Sequence, residues 1–233
     1  MQGSDERAMS RRGFLSASAA TAALVSCSGK GGATTPGAPT DRDAEVTPAE
    51  DLMREHGVLR RVLFIFDEAA HRLETGVDLP LDQLAAGAGI IRHVIEDYHE
   101  QLEENHLFPR FEQAGKLVDL VTVLKTQHKA GRDVTSQVLT LSAAKLGDSD
   151  RTKLAALLRS FNRMYRAHAA REDTVLFPAL HQIVGGKAYD ELGDQFEDIE
   201  KQTLGEGGFE KSVADVARIE RAFGLDDLAK FTP

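Results

Sequence analysis

One motif, written twice, most constrains what this chain can fold into: HEQLEENHLFPRF from His99 to Phe111, and HAAREDTVLFPAL from His168 to Leu180. In each copy a histidine is followed four residues later by a glutamate, then a second acid, then two residues and Leu-Phe-Pro. Residues four apart on an α-helix share a face, about 6 Å apart along the axis. Each copy therefore aims an imidazole and a carboxylate into one layer. A carboxylate buried without a partner costs several kcal/mol, so two such glutamates in one core require positive charge between them.

The surrounding pattern is helical throughout, with no stretch of sustained strand alternation. Thr47-Pro48-Ala49-Glu50 reads as a capping-box start, with Pro at the first helical position, for a helix reaching about Glu74. Gly76 and Pro80 separate it from a second helix that reaches about Phe108, where Pro109 is expected to kink or end it. A third helix is expected over about Lys116 to Lys145 and a fourth over about Asp150 to Ile183. The expected fold is all-α: an antiparallel up-down-up-down four-helix bundle over 49–184, with a C-terminal helical extension over 185–233 split by Gly205 to Gly208. Leu-Phe-Pro is expected to close the bundle end, and the second acid of each motif to face outward.

The core-facing stripes each contain one histidine. On the first helix Leu52, His56, Leu59, Leu63 and Phe66 recur at alternating spacings of four and three, and on the third Val121, Leu124, His128, Gly131 and Val138 do so. The second helix places Ile95, His99, Leu102 and Glu103 together, and the fourth aligns Leu154, Leu157, Phe161, Met164, His168 and Val175, with Glu172 one turn beyond His168. A lone histidine on such a stripe is usually a core residue bonded to a neighbour. Four helices each bringing one, two of them with an acid a turn away, make a metal site. His71, His93, His106 and His181 take the ordinary reading, and Tyr98 and Tyr165, beside the ligand turns, are expected to pack or to hydrogen-bond behind the ligands.

A single cysteine rules out a thiolate cluster within one chain, so the metal must use His and carboxylate ligands. His56 with His99 and Glu103, and His128 with His168 and Glu172, give two sets of two imidazoles and one carboxylate, which suit non-haem iron, with Zn or Mn as competitors. The carboxylates can bridge two ions about 3.5–4 Å apart, leaving about one open position per ion for a small ligand such as dioxygen. The formal net charge of -9 excludes a general attraction to nucleic acid. Glu96 to His99 and Glu103 to His106 also match the Glu-x-x-His spacing of ferritin-like iron sites, but Tyr165 stands three before His168, so the second copy does not.

The order H, H-x-x-x-E, H, H-x-x-x-E, with Leu-Phe-Pro after each acid pair, resembles the hemerythrin-like (HHE cation-binding) domain over about residues 50 to 184. The resemblance implies a four-helix bundle with a carboxylate-bridged di-iron centre that binds or senses dioxygen, peroxide or nitric oxide. Two rival readings stand beside it: a di-iron enzyme turning over peroxide or nitric oxide, and a metal protein without redox chemistry. In the oxygen-carrying members the third helix supplies two histidines a turn apart; here Arg132 stands four after His128.

Before the helices, SRRGFLSASAATAALVSC has the form of a signal peptide over residues 1–27. Arg11-Arg12 with Phe14 and Leu15 resembles a twin-arginine export signal, and Leu24-Val25-Ser26-Cys27 a lipobox, with Cys27 as the acylated residue. The expectation is an exported lipoprotein, anchored to a membrane outside the cytoplasm, with residues 28–48 as a Gly/Pro-rich tether.

Overall fold

The structure, a computed structural model, describes residues 46–233, so the expected signal sequence and most of the tether lie outside the described residues. Every regular element among the described residues is helical, and they pack as a helical bundle. The first helix, Pro48–Thr75, starts as the sequence predicts: Glu50 N donates to Thr47 Oγ1, and Thr47 N donates to the Glu50 carboxylate at 3.0 Å. Gly76 ends it in the left-handed conformation (φ 75°), which costs glycine least.

The second rod is continuous from Leu81 to Ala114: α-helix Leu81–Ile90, π-helix Ile91–His99, one α-turn Glu100–Leu102, π-helix Glu103–Leu107, and α-helix Phe108–Ala114. Pro109 was expected to kink or end it, and the helical structure does not end there. The preceding turn is wider, with Phe108 N donating to Glu103 O five residues back, and the helix runs through the proline. The fourth rod repeats the arrangement, with α-helix Asp148–Arg171, π-helix Glu172–Leu176 and α-helix Phe177–Val184. Leu-Phe-Pro therefore sits inside a rod, with Leu107, Phe108, Leu176 and Phe177 buried in one core. The third helix is Val118–Ser142. Two more helices, Gly186–Leu204 and Gly208–Phe223, follow, then a 3-10 turn Leu228–Phe231.

The apolar interior is divided in two. One core gathers Val58 to Leu73, Leu84 to Ile95, Val138, Leu154 to Ala169 and, from the last helix, Phe209, Val216, Ile219 and Phe223. The other gathers Leu52, Tyr98 to Phe111, Val121, Leu124, Leu176 to Leu180 and, from Gly186–Leu204, Tyr189, Leu192 and Phe196. On the first and third rods the change of core spans the seam histidine, on the fourth it spans Glu172, and on the second it falls just before His99, between Ile95 and Tyr98. The added helices thus complete both cores. The last of them is also tied to the first helix by Arg61 and Glu220 and by the Arg72 hydrogen bond to Phe223 O.

The stripe on the fourth rod is shifted by one residue from its sequence reading. Leu158 and Tyr165 are buried, whereas Leu157 and Met164 are only partly so. Leu154, Leu158, Phe161, Tyr165, His168 and Glu172 follow the four-three alternation, and the leucine pair at 157 and 158 left two registers open to sequence inspection.

Candidate metal centre

Between the two cores lies one buried polar layer. His56, His99, Glu103, His128, His168 and Glu172 are each at most 3% exposed. Their inward atoms converge: Glu172 Oε2 is 3.4 Å from His56 Nε2 and 3.0 Å from His168 Nε2, while Glu103 places one oxygen 3.6 Å from His99 Nε2 and the other 3.4 Å from His128 Nε2. Each carboxylate therefore touches one imidazole from each half. Two groups of potential ligand atoms result, each mutually within 4.8 Å: His56, His99, Glu103 and Glu172, and Glu103, His128, His168 and Glu172. The sequence pairing gave each half one carboxylate; the geometry has both carboxylates shared by both groups.

The outward nitrogens are all engaged. Nδ1 of His56 faces Asp173 at 2.7 Å, that of His99 faces Glu55 at 2.7 Å, that of His128 faces Glu104 at 2.9 Å, and that of His168 faces Gln127 Oε1 at 2.9 Å. An acceptor on Nδ1 places the proton there and leaves the Nε2 lone pair directed inward, the arrangement that metal-binding imidazoles require. Two such Nε2 atoms, of His128 and His168, stand 3.2 Å apart. Both oxygens of Glu103 and of Glu172, and His99 Nε2, are buried and take no hydrogen bond. Native interiors leave few such atoms unsatisfied, and a convergent set of lone pairs is what a cation satisfies.

The charges respond to one another. Burial pulls the His56 imidazole down, but its contacts to Asp173 and Glu172 outweigh this and raise it to about 9. His128 is likewise pulled down by burial and raised by Glu103 and Glu104 to about 10. Burial pushes the Glu172 carboxyl up, yet His168 and His56 hold it below the usual range.

The second acids, expected to face outward, instead reach across to the other half: Glu104 from the second rod holds His128, and Asp173 from the fourth holds His56. Phe108 stacks on His128 at 5.6 Å between ring centroids and Phe177 on His56 at 5.4 Å. Arg132, in place of a fifth histidine, pairs with Glu104, and Arg60, four after His56, pairs with Asp173 in the same way. Glu55, Gln127 and Arg60, and the pairing of Arg132 with Glu104, escaped the sequence reading, although EHGVLR (55–60) and QHKAGR (127–132) share the order [EQ]-H-x-x-x-R. Tyr165 donates to Glu100 at 2.7 Å, and Tyr98 lies in the core lined by Leu102 and Phe108. His106 packs against Phe196, away from the layer.

The family model for the hemerythrin HHE cation-binding domain matches residues 47–180 and again 119–207. Uncharacterized proteins of Mycobacterium tuberculosis (strains H37Rv and CDC 1551) and Mycobacterium bovis are each 44% identical over 234 residues, covering 97% of this chain and 92% of theirs. No solved structure matches the chain.

Proposed function

Because the chain belongs to the hemerythrin HHE cation-binding family, we propose that its buried layer holds two non-haem iron ions and binds or senses dioxygen or a related small ligand. The observation that carries this reading is the pair of four-residue groups sharing Glu103 and Glu172, with imidazole Nε2 atoms turned inward. His56 and His99 would hold one ion, His128 and His168 the other, and the two carboxylates would serve both. Iron bound there supplies an open coordination position for a small ligand and one-electron redox chemistry. The chain's own residues orient the imidazoles through Nδ1 and, by the apolar cores on either side, exclude water. The order in which each rod passes from one core to the other supports the antiparallel up-down topology.

Turnover of peroxide or nitric oxide is the second reading, favoured by Arg132 standing where the oxygen carriers have an imidazole ligand. Anaerobic reconstitution with ferrous iron separates the readings. About two irons per chain with bands that come and go with dioxygen support binding, irreversible oxidation with consumption of peroxide supports turnover, and a chain that retains only Zn supports a role without redox. The proposed location is a membrane surface outside the cytoplasm, supported by Arg11-Arg12 and by Cys27 within Leu-Val-Ser-Cys. Labelled fatty acid incorporated into the full chain but not into Cys27→Ala tests it; equal labelling rejects it.

A further inference from the structure

Away from the metal layer, a cleft of about 410 Å³ opens between the second rod and the last two helices, within the size range of small-molecule sites. Its floor is apolar: Ile90, Val94 and Ile219 are buried there, and Leu204 partly so. Gly89 lines it too, inside the α-helical run Leu81–Ile90, and a Cβ at this position would meet nothing within 4 Å. Glycine weakens a helix interior relative to alanine, and here no neighbour crowds a methyl out. What the missing side chain leaves is depth in the cleft. Of the three widened stretches, the one without a following proline, Ile91–His99, supplies His93 and Val94 to the same wall, and widened turns recur at functional sites.

The charge sits at the rim. On the last helix Lys211 Nζ and Arg218 Nη2 both donate to Asp215, at 2.6 and 2.9 Å, and their side chains are 75% and 56% exposed. One carboxylate thus answers two cations, so the rim keeps one surplus positive charge and N–H donors to spare, in a chain of formal net charge -9. Below the rim, the buried Ser212 hydroxyl is spent on Gly208 O at 2.7 Å. The cleft therefore offers an apolar body its floor and an anionic head its edge. One surplus charge matches a monoanion, whereas a phosphate monoester carries about -1.5 to -2 at neutral pH.

We propose that this cleft binds a small apolar carboxylate, with its hydrocarbon body on the floor beside Gly89 and its head between Lys211 and Arg218. The body is an acyl chain or an aromatic ring, which share this chemistry. The site stands apart from the metal layer, so its failure would leave the metal reading untouched, and the reverse.

The test is equilibrium dialysis of the full chain against radiolabelled octanoate and 2-naphthoate. Wild type is to bind one molecule per chain, and the tighter of the two acids identifies the body as acyl or aromatic. Octanol and octylammonium are to bind at least ~10-fold more weakly than octanoate, the lower range for losing a charge-assisted hydrogen bond. Gly89→Leu is to fill the cleft and weaken octanoate at least ~10-fold, while its melting temperature holds or rises, because leucine is the better helix former. Asp215→Asn is to tighten octanoate by freeing both cations, the opposite of what loss of a merely structural ion pair would do. Neither acid bound below about 1 mM overturns the proposal. So do octanol bound as tightly as octanoate, wild-type affinity in Gly89→Leu, and weaker binding in Asp215→Asn with unchanged helix content. Octyl phosphate bound more tightly than octanoate overturns the assignment to a carboxylate. If Gly89→Leu does not fold, Lys211→Gln combined with Arg218→Gln, at two exposed side chains, decides. Octanoate weakened at least ~10-fold with octanol unchanged supports the site, and unchanged octanoate rejects it.

Discussion

At the level of single residues, the centre is a set of lone pairs aimed by their outer neighbours. Asp173→Ala or Glu104→Ala frees one Nδ1, and the expected loss is about 10–100-fold in metal affinity with unchanged helical circular dichroism. His106→Ala should leave metal content intact, whereas His56→Ala should lower it, as elemental analysis of the purified variants would reveal. Protons and metal compete for the same nitrogens. His56 and His128 are raised to about 9 and about 10, so in the metal-free chain they are protonated at neutral pH. Metal uptake at pH 7 should therefore release about two protons from these imidazoles, measurable with an indicator dye in weak buffer, and this release should vanish above about pH 10. The six inward residues were legible in the sequence because four-residue spacing and the apolar stripe both pointed to them. Glu55, Glu104, Gln127 and Asp173 were not. A residue adjacent to a ligand on a helix is turned about 100° from it. That direction meets a neighbouring rod in a bundle this tight, and single-helix periodicity carries no information about neighbours.

The rods themselves are shaped by the layer they carry. Two of the three widened stretches begin at Glu103 and Glu172, and each of these is followed by a proline whose missing N–H an unbroken α-helix could not accommodate without strain; the third, Ile91–His99, ends at a seam histidine with no proline after it. Sequence rules treat proline as a kink or a terminator, so they left the run past Pro109 to Ala114 open, while the capped start at Thr47 could be read outright. A second element-scale constraint lies in the third helix. Gly131→Ala places a methyl within 1.9 Å of the Tyr165 hydroxyl and should destabilise the chain by about 1–3 kcal/mol, read by urea denaturation. Glycine normally weakens a helix interior, so a gain in stability there would show that Tyr165 moves aside freely.

For the whole molecule, one polar layer joins four rods and separates two apolar cores, so metal binding and stability are linked. Free metal at 100 times its dissociation constant should stabilise the fold by about 2.7 kcal/mol, a rise of about 5–10 °C in melting temperature that a chelator reverses. The metal-free chain should respond to pH in the opposite sense from metal uptake. The folded-state values of His56 and His128 lie above the ordinary 6.5, so the stability they contribute is fully present below pH 6.5 and is lost as pH rises through about 9 and then about 10. Denaturation midpoints of the metal-free chain across that range would check it. The crossing contacts have a further consequence. Asp173 and Phe177 of the last rod steady His56 of the first, while Glu104 and Phe108 of the second steady His128 of the third. Neither helical hairpin can aim its own leading histidine, so the halves act as each other's jig, and the ion can be gripped only after the chain has closed upon itself.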